Sequence, residues 1–215
     1  MRVAPLTGLL AVALTVVAFL LFGDTPDVDA RGGEVRSYYD DHRAQTAVSL
    51  YLLVLASVFF VLFAAHLARV VRAVPGGDWL HRAVVAGGVL IAVGFLVGAS
   101  LSLALLDLSD KESAADASLQ TLNALSEDFF IPFVGGMGLM LLAAGLATVR
   151  AAAGPWPRWL SWAAVALGVL VFVPWVGFFA FMLAGLWVAA VSVLLARRPS
   201  AAPASAPGPA PEGTS

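Results

Sequence analysis

Uncharged apolar runs of membrane-spanning length are the feature that most constrains this chain. Four of them are Pro5–Gly23, Ala44–Ala65, Ala83–Leu106 and Phe129–Val149, and a fifth, Trp159–Ala196, continues for 38 residues without a charge. A helix needs about 20 residues to cross about 30 Å of hydrocarbon. The runs therefore predict helices that span a membrane.

The fifth run is too long for one crossing, because as a straight helix it would reach about 57 Å. Pro174 at its middle removes a helical hydrogen-bond donor, and Trp175 after it suits the membrane interface. These residues predict a hairpin. Residues 1–197 are thus predicted to form an all-α bundle of six transmembrane helices, with spans at about 5–23, 44–66, 82–107, 128–149, 157–173 and 175–196.

The amino-acid composition is that of a chain surrounded mainly by lipid rather than by water. Only 12% of the residues are charged, whereas a soluble domain has roughly a quarter. The mean hydropathy is +0.91. This excludes a soluble enzyme and a nucleic-acid binder, and makes the lipid bilayer the first expected partner. Residues 198–215 are rich in Pro and Ala and predict a disordered cytoplasmic tail.

The distribution of basic residues predicts the orientation, because basic loops are retained in the cytoplasm. With six spans, eight arginines fall on the side of the termini and four basic residues on the other side. We therefore expect a multi-pass protein with both termini cytoplasmic. Twelve acidic residues lie on the outer side, which gives that side a net charge of −8 and makes it attractive to cations.

The candidate functional residues form a polar cluster predicted for the outer face: Asp24, Asp27, Asp29, Asp40, Asp41, His42, Arg43 and Asp107. The D-x-x-D-x-D spacing of the first three resembles a hard-cation site but lacks the further ligands of a calcium loop, so solvated loop charge is the favoured interpretation. Because no cysteine and no nucleotide-binding, hydrolase or metalloprotease motif occurs, we predict no catalytic residue, metal or cofactor.

Two patterns concern packing. Small residues at Gly94, Gly98 and Ser102 suit close helix contact, either within one chain or between copies, so a homo-oligomer or a membrane-protein partner stays open.

A second pattern is an internal similarity. The segment from Trp79-Leu80 to Leu90 matches Trp159-Leu160 to Leu170, and Val71-Arg72-Ala73 recurs as Val149-Arg150-Ala151. The similarity fits either duplication of a two-span unit or chance among apolar residues.

Three short motifs carry a resemblance to a known family. They are D-T-P-D-V-D at Asp24–Asp29, Y-Y-D-D-H-R at Tyr38–Arg43, and W-L at Trp159-Leu160. With them, most of residues 5–197 resembles a family of actinobacterial six-span integral membrane proteins of unknown function. The resemblance implies a six-helix fold in a bacterial plasma membrane and supplies no catalytic residues.

Three functional hypotheses follow. The first is a non-enzymatic membrane protein whose acidic outer surface acts in interaction or sensing. The second is a small-solute or lipid transporter, with helix breaks at Pro132 and Pro174 beside a cavity between the spans. The third is a membrane-embedded enzyme in which Asp40, Asp41 and His42 exchange protons, which requires these side chains to converge on one pocket.

Overall fold

The computed structural model describes residues 4–111, 113–128, 130–151 and 154–197, without the side chains of residues 127 and 128. These residues form eight α-helices and no strand. The predicted tail, residues 198–215, lies outside the described residues. The helices are α1 (Leu6–Phe22), α2 (Gly32–Asp41), α3 (Arg43–Arg72), α4 (Leu80–Ser109), α5 (Asp116–Asp128), α6 (Ile131–Val149), α7 (Arg158–Leu170) and α8 (Gly177–Ala196).

Four stretches of the described chain are long and apolar enough to cross a membrane. They are α3, α4, α8 and the segment Asp116–Val149, which contains α6. The apolar helices α1 and α7 are shorter, with 17 and 13 residues. The described chain is therefore all-helical, and four of its segments have the length and composition of membrane spans.

The six apolar helices form a closed ring in the order α1, α3, α4, α6, α7, α8, in which α8 returns to α1. Each helix is antiparallel to its neighbours. The centre contains four phenylalanines in a row, Phe60, Phe95, Phe133 and Phe181, with adjacent ring centroids 5.1–5.7 Å apart. All four rings are buried, so this part of the core is filled by side chains.

Glycine allows the closest helix contact, between α4 and α6. A Cβ atom on Gly136 would lie 2.6 Å from the carbonyl oxygen of Gly87, and the reverse distance is the same. Gly135 next to it has nothing within 4 Å of the corresponding position. The backbones of α4 and α6 therefore approach closely at this pair, and again where a Cβ on Gly94 would lie 2.8 Å from the backbone nitrogen of Phe133.

The internal similarity reappears in the packing. Gly88 on α4 packs against Ala64 on α3, and Gly168 on α7 packs against Leu142 on α6. Gly168 lies 80 residues after Gly88, and Leu142 lies 78 residues after Ala64, which are the two spacings of the sequence match. Equivalent positions thus make equivalent contacts in the α3–α4 and α6–α7 hairpins, as duplication of a two-helix unit would produce.

The long fifth run is broken at Pro174. Helix α7 ends at Leu170, α8 begins at Gly177, and the indole N–H of Trp187 donates to the carbonyl of Leu160, so the two helices fold back on each other. Trp175 in the turn is 94% exposed. Pro132, in contrast, does not kink a helix. It lies in the first turn of α6, where a proline lacks no required hydrogen bond.

Polar groups inside the ring are hydroxyls that bond to their own helix. Ser49, Ser57 and Ser192 each donate to a carbonyl three or four residues back. At the arginine-rich end, Ser161 accepts hydrogen bonds from the indole of Trp156 and from Thr148. The outside of the ring carries many exposed leucine, valine, phenylalanine and tryptophan side chains, as contact with lipid requires.

Candidate functional site

The two acidic loops fold together into one structure, which we call the cap and define as residues 23–42, 110–111 and 113–128. Helix α2 packs on α5, and both pack on the end of α4. Val35, Tyr39 and Leu119 are buried there against Leu105 and Leu106 of α4. Helix α5 contacts α2 and α4 and buries Leu119 completely, whereas Leu125 on the same helix is 55% exposed.

Arg36 links α2 to the end of α4 and to the turn that follows α4. Its guanidinium donates to the carbonyl oxygens of Ser109 at 2.8 Å, Lys111 at 2.9 Å and Ala114 at 2.8 Å. These carbonyls terminate α4 or belong to the turn that follows, where no helical donor is available. A planar guanidinium has five N–H donors in a fixed arrangement, so one side chain can serve all three carbonyls at once.

Asn123 provides a second link, between α5 and the segment that follows α1. Its side-chain amide donates to the carbonyls of Pro26 at 3.2 Å and Asp27 at 2.9 Å. The residue is completely buried, and its side-chain oxygen has no hydrogen-bond partner among the described residues. Buried amides in this setting hold loop backbone in place, because their donors would otherwise lose water without compensation.

The C-terminal end of α1 is closed by side chains of the next two helices. Tyr38 of α2 donates its hydroxyl hydrogen to the carbonyl of Phe22, and Gln45 of α3 donates to the carbonyl of Leu21 at 2.6 Å. Burial of the phenol, and secondarily the charge of Asp24, raises the pKa of Tyr38 above 10.0. The ring of His42 stacks on Tyr38 with a centroid distance of 4.5 Å.

A pocket of about 700 Å³ opens where the cap meets the bundle. Arg43, the first residue of α3, forms an ion pair there with Asp110, which follows α4. Asp116 lies 4.0 Å from the guanidinium of Arg36. The lining residues are Arg36, Asp40, Arg43, Ser109, Asp110, Ala114 and Asp116.

The eight candidate residues from the sequence are all exposed. The structure brings only Asp40 and Arg43 together in the pocket. Asp24, Asp27 and Asp29 lie on the connection between α1 and α2, and Asp107 lies on the exposed side of α4. No group of three or more His, Asp or Glu side chains is placed to hold a metal ion within the described part of the chain.

The acid–base arrangement of the enzyme hypothesis is not formed. Asp40 lines the pocket, whereas the carboxylate of Asp41 accepts a 3.5 Å hydrogen bond from Ser37 and the imidazole of His42 lies on Tyr38. Helical spacing explains the divergence, because consecutive residues point about 100° apart around a helix. The three side chains therefore do not share one reacting position.

Sequence analysis missed Arg36, Asn123 and Asp110 as functional or organising residues. Arg36 and Asn123 act on carbonyl groups 73–97 residues away, and no local pattern marks such a target. In the sequence they are an arginine and an asparagine within mainly acidic loops, which does not reveal their partners.

Comparison with known proteins supplies no relative from which a role could be transferred. No family model matches this chain, and no curated protein or solved structure matches it either. The resemblance to the actinobacterial membrane family accordingly stays a prediction.

Proposed function

We propose that this chain is a six-span protein of a bacterial plasma membrane, with both termini cytoplasmic, whose cap is an external surface for interaction or sensing. The observation that carries the proposal is the cap itself. Two acidic loops about 80 residues apart in the chain pack into one unit with an apolar core and a charged exterior. A folded surface of this kind presents its side chains in fixed positions, which specific recognition requires.

The ring supports six crossings. Helix α1 runs antiparallel to α3 and α8, because Leu21 meets Gln45 at one end while Gly8 meets Ser192 at the other. Helix α7 runs beside α6 in the same way, with Ser161 near Gly145. Each short helix therefore follows a longer apolar helix through the bundle, and a ring of six alternating helices leaves both chain ends on one side.

Single-cysteine labelling tests the orientation, since the chain has no cysteine of its own. Ser37→Cys places a thiol on an exposed position of the cap, and Asp78→Cys places one at the opposite end. We expect a membrane-impermeant maleimide to label the first variant in intact cells and the second only after permeabilisation. The reverse pattern would refute the external cap.

The filled centre of the ring supports a role other than transport. The transporter hypothesis predicts a cavity lined by glycine and aromatic residues, whereas a row of four buried phenylalanines fills the space between α3, α4, α6 and α8. The described ring interior also places no charged side chain among its buried residues. We expect proteoliposomes to take up protons, potassium, amino acids and choline no faster than protein-free vesicles, and carrier-like uptake of any of these solutes would overturn the proposal.

A further inference from the structure

We infer that the pocket between the cap and the bundle binds a small organic cation through a primary ammonium group. The inference rests on the proposed sensing role of the cap and specifies the class of ligand. It is argued from the size of the pocket, its charges, and the partners that its charged side chains already have.

The pocket is large enough for an organic molecule. Its volume of about 700 Å³ falls within the range of about 300–1,000 Å³ that small-molecule sites occupy. Its walls come from α2, the start of α3, the end of α4 and the start of α5. A ligand there would contact both the cap and the bundle, so its binding would stabilise their docking.

The charged side chains that line the pocket favour a cationic ligand. Both positive side chains in the pocket already have partners, because Arg36 donates to three carbonyls and Arg43 pairs with Asp110. Three carboxylates face two guanidiniums, which leaves a net charge of −1. Asp40 has no hydrogen bond or ion pair with any described residue, and Asp116 is 68% exposed and only loosely paired with Arg36 at 4.0 Å.

The available groups favour an ammonium group over a metal ion. Divalent metals need several oxygen or nitrogen ligands in a close shell, and no suitable group of three side chains occurs within the described ranges. A primary ammonium instead offers three N–H donors, which form short charge-assisted hydrogen bonds with carboxylates. Asp40 and Asp116 supply acceptors of this type.

Two kinds of molecule could present a primary ammonium group to the pocket: a free amine in solution and the ethanolamine headgroup of a lipid. The pocket includes the first residue of α3 and the last residue of α4, so it lies where the long apolar helices end and lipid headgroups are within reach. The experiment therefore needs membranes with and without that headgroup.

The test is a calorimetric titration of putrescine into the full chain in phosphatidylcholine nanodiscs at constant ionic strength. The fully N-methylated diamine has the same charge but no N–H donor, and serves as the chemical control. Asp40→Asn removes the unpaired carboxylate, and Asp41→Asn makes the same charge change one residue away and outside the pocket lining. Size-exclusion profiles and melting temperatures without ligand verify that both variants are folded.

We expect wild-type protein and Asp41→Asn to bind putrescine alike, and Asp40→Asn to bind it about tenfold more weakly, as loss of one charged hydrogen bond implies. Equal weakening in both variants, equal binding of the methylated diamine, or no binding to wild type would overturn the inference. In nanodiscs that contain phosphatidylethanolamine, weaker putrescine binding assigns the site to the headgroup, and unchanged binding assigns it to a free amine. Nanodiscs expose both membrane faces, so the result is independent of the topology experiment.

Discussion

Replacing Arg36 by alanine is expected to release α2 from the end of α4 and the turn that follows, without unfolding the bundle. The substitution removes three hydrogen bonds from one guanidinium to the carbonyls of Ser109, Lys111 and Ala114. The bonds to Ser109 and Ala114 are partly buried, and the bond to Lys111 is exposed. The ring of apolar helices keeps its contacts, because none of them involves Arg36.

The magnitude follows from those three bonds. A hydrogen bond with a charged partner contributes about 1.5–3 kcal/mol when buried, and less when water can replace it. Assigning about 1–1.5 kcal/mol to each of the two partly buried bonds, and nothing to the exposed one, gives about 2–3 kcal/mol for docking of α2 on the end of α4 and the turn that follows. Since about 1.4 kcal/mol corresponds to a factor of ten, the opening equilibrium should rise roughly 30- to 140-fold.

Hydrogen exchange of the backbone amides in nanodiscs measures this opening directly. We expect amides of α2 to lose protection by that factor in Arg36→Ala, while amides of α3 and α4 stay protected. Lys111→Ala is the matched control, because it removes one exposed positive charge from the same region and leaves the backbone carbonyl in place. Equal exchange in the two variants, or an equal loss of protection throughout the bundle, would refute the role assigned to Arg36.

Three further changes test the packing and the cap. Gly136→Ala should destabilise the bundle by about 2 kcal/mol through overpacking, and Gly135→Ala should be neutral, as measured by thermal unfolding in detergent. Ser161→Ala leaves the indole N–H of Trp156 unpaired and should cost about 1–3 kcal/mol in the same assay. The pKa of Tyr38 is higher in the folded protein than the ordinary value of 10.0. The protonated phenol therefore stabilises the cap below pH 10.0, and this contribution is lost as pH rises through the folded-state pKa. Tyrosinate absorption should therefore show a late-titrating phenol that coincides with cap opening and is missing in Tyr38→Phe.

Much of the helical framework was predictable from local features. Apolar runs predicted the helices of the ring, and Pro174 predicted the break between α7 and α8, because a missing backbone donor acts on its own helix. The internal similarity left duplication and chance open, and the equivalent contacts of Gly88 and Gly168 were visible only in the structure. Helix ends were less accurate: α3 extends to Arg72, about six residues past the predicted span, since charged residues at a helix end can remain helical outside lipid.

The candidate site was predictable only in part. Charge counting directed attention to the acidic loops, yet of the eight candidate residues only Asp40 and Arg43 line the pocket. Asp110 and Asp116 join them because the end of α4 and the start of α5 meet α2 in space. The positions of acidic residues in a sequence do not give the distances between their side chains. Which ion pairs they form depends on which helix faces are buried.

The sequence by itself determined that helices form and that lipid suits their surroundings, because both properties depend on the composition of continuous segments and on hydrogen bonds closed within each helix. Only the tertiary structure decided that α2 docks on α5, that Arg36 closes the end of α4, and that a pocket remains between them. These contacts join residues more than 70 positions apart, and their energy comes from burying side chains that no local pattern pairs.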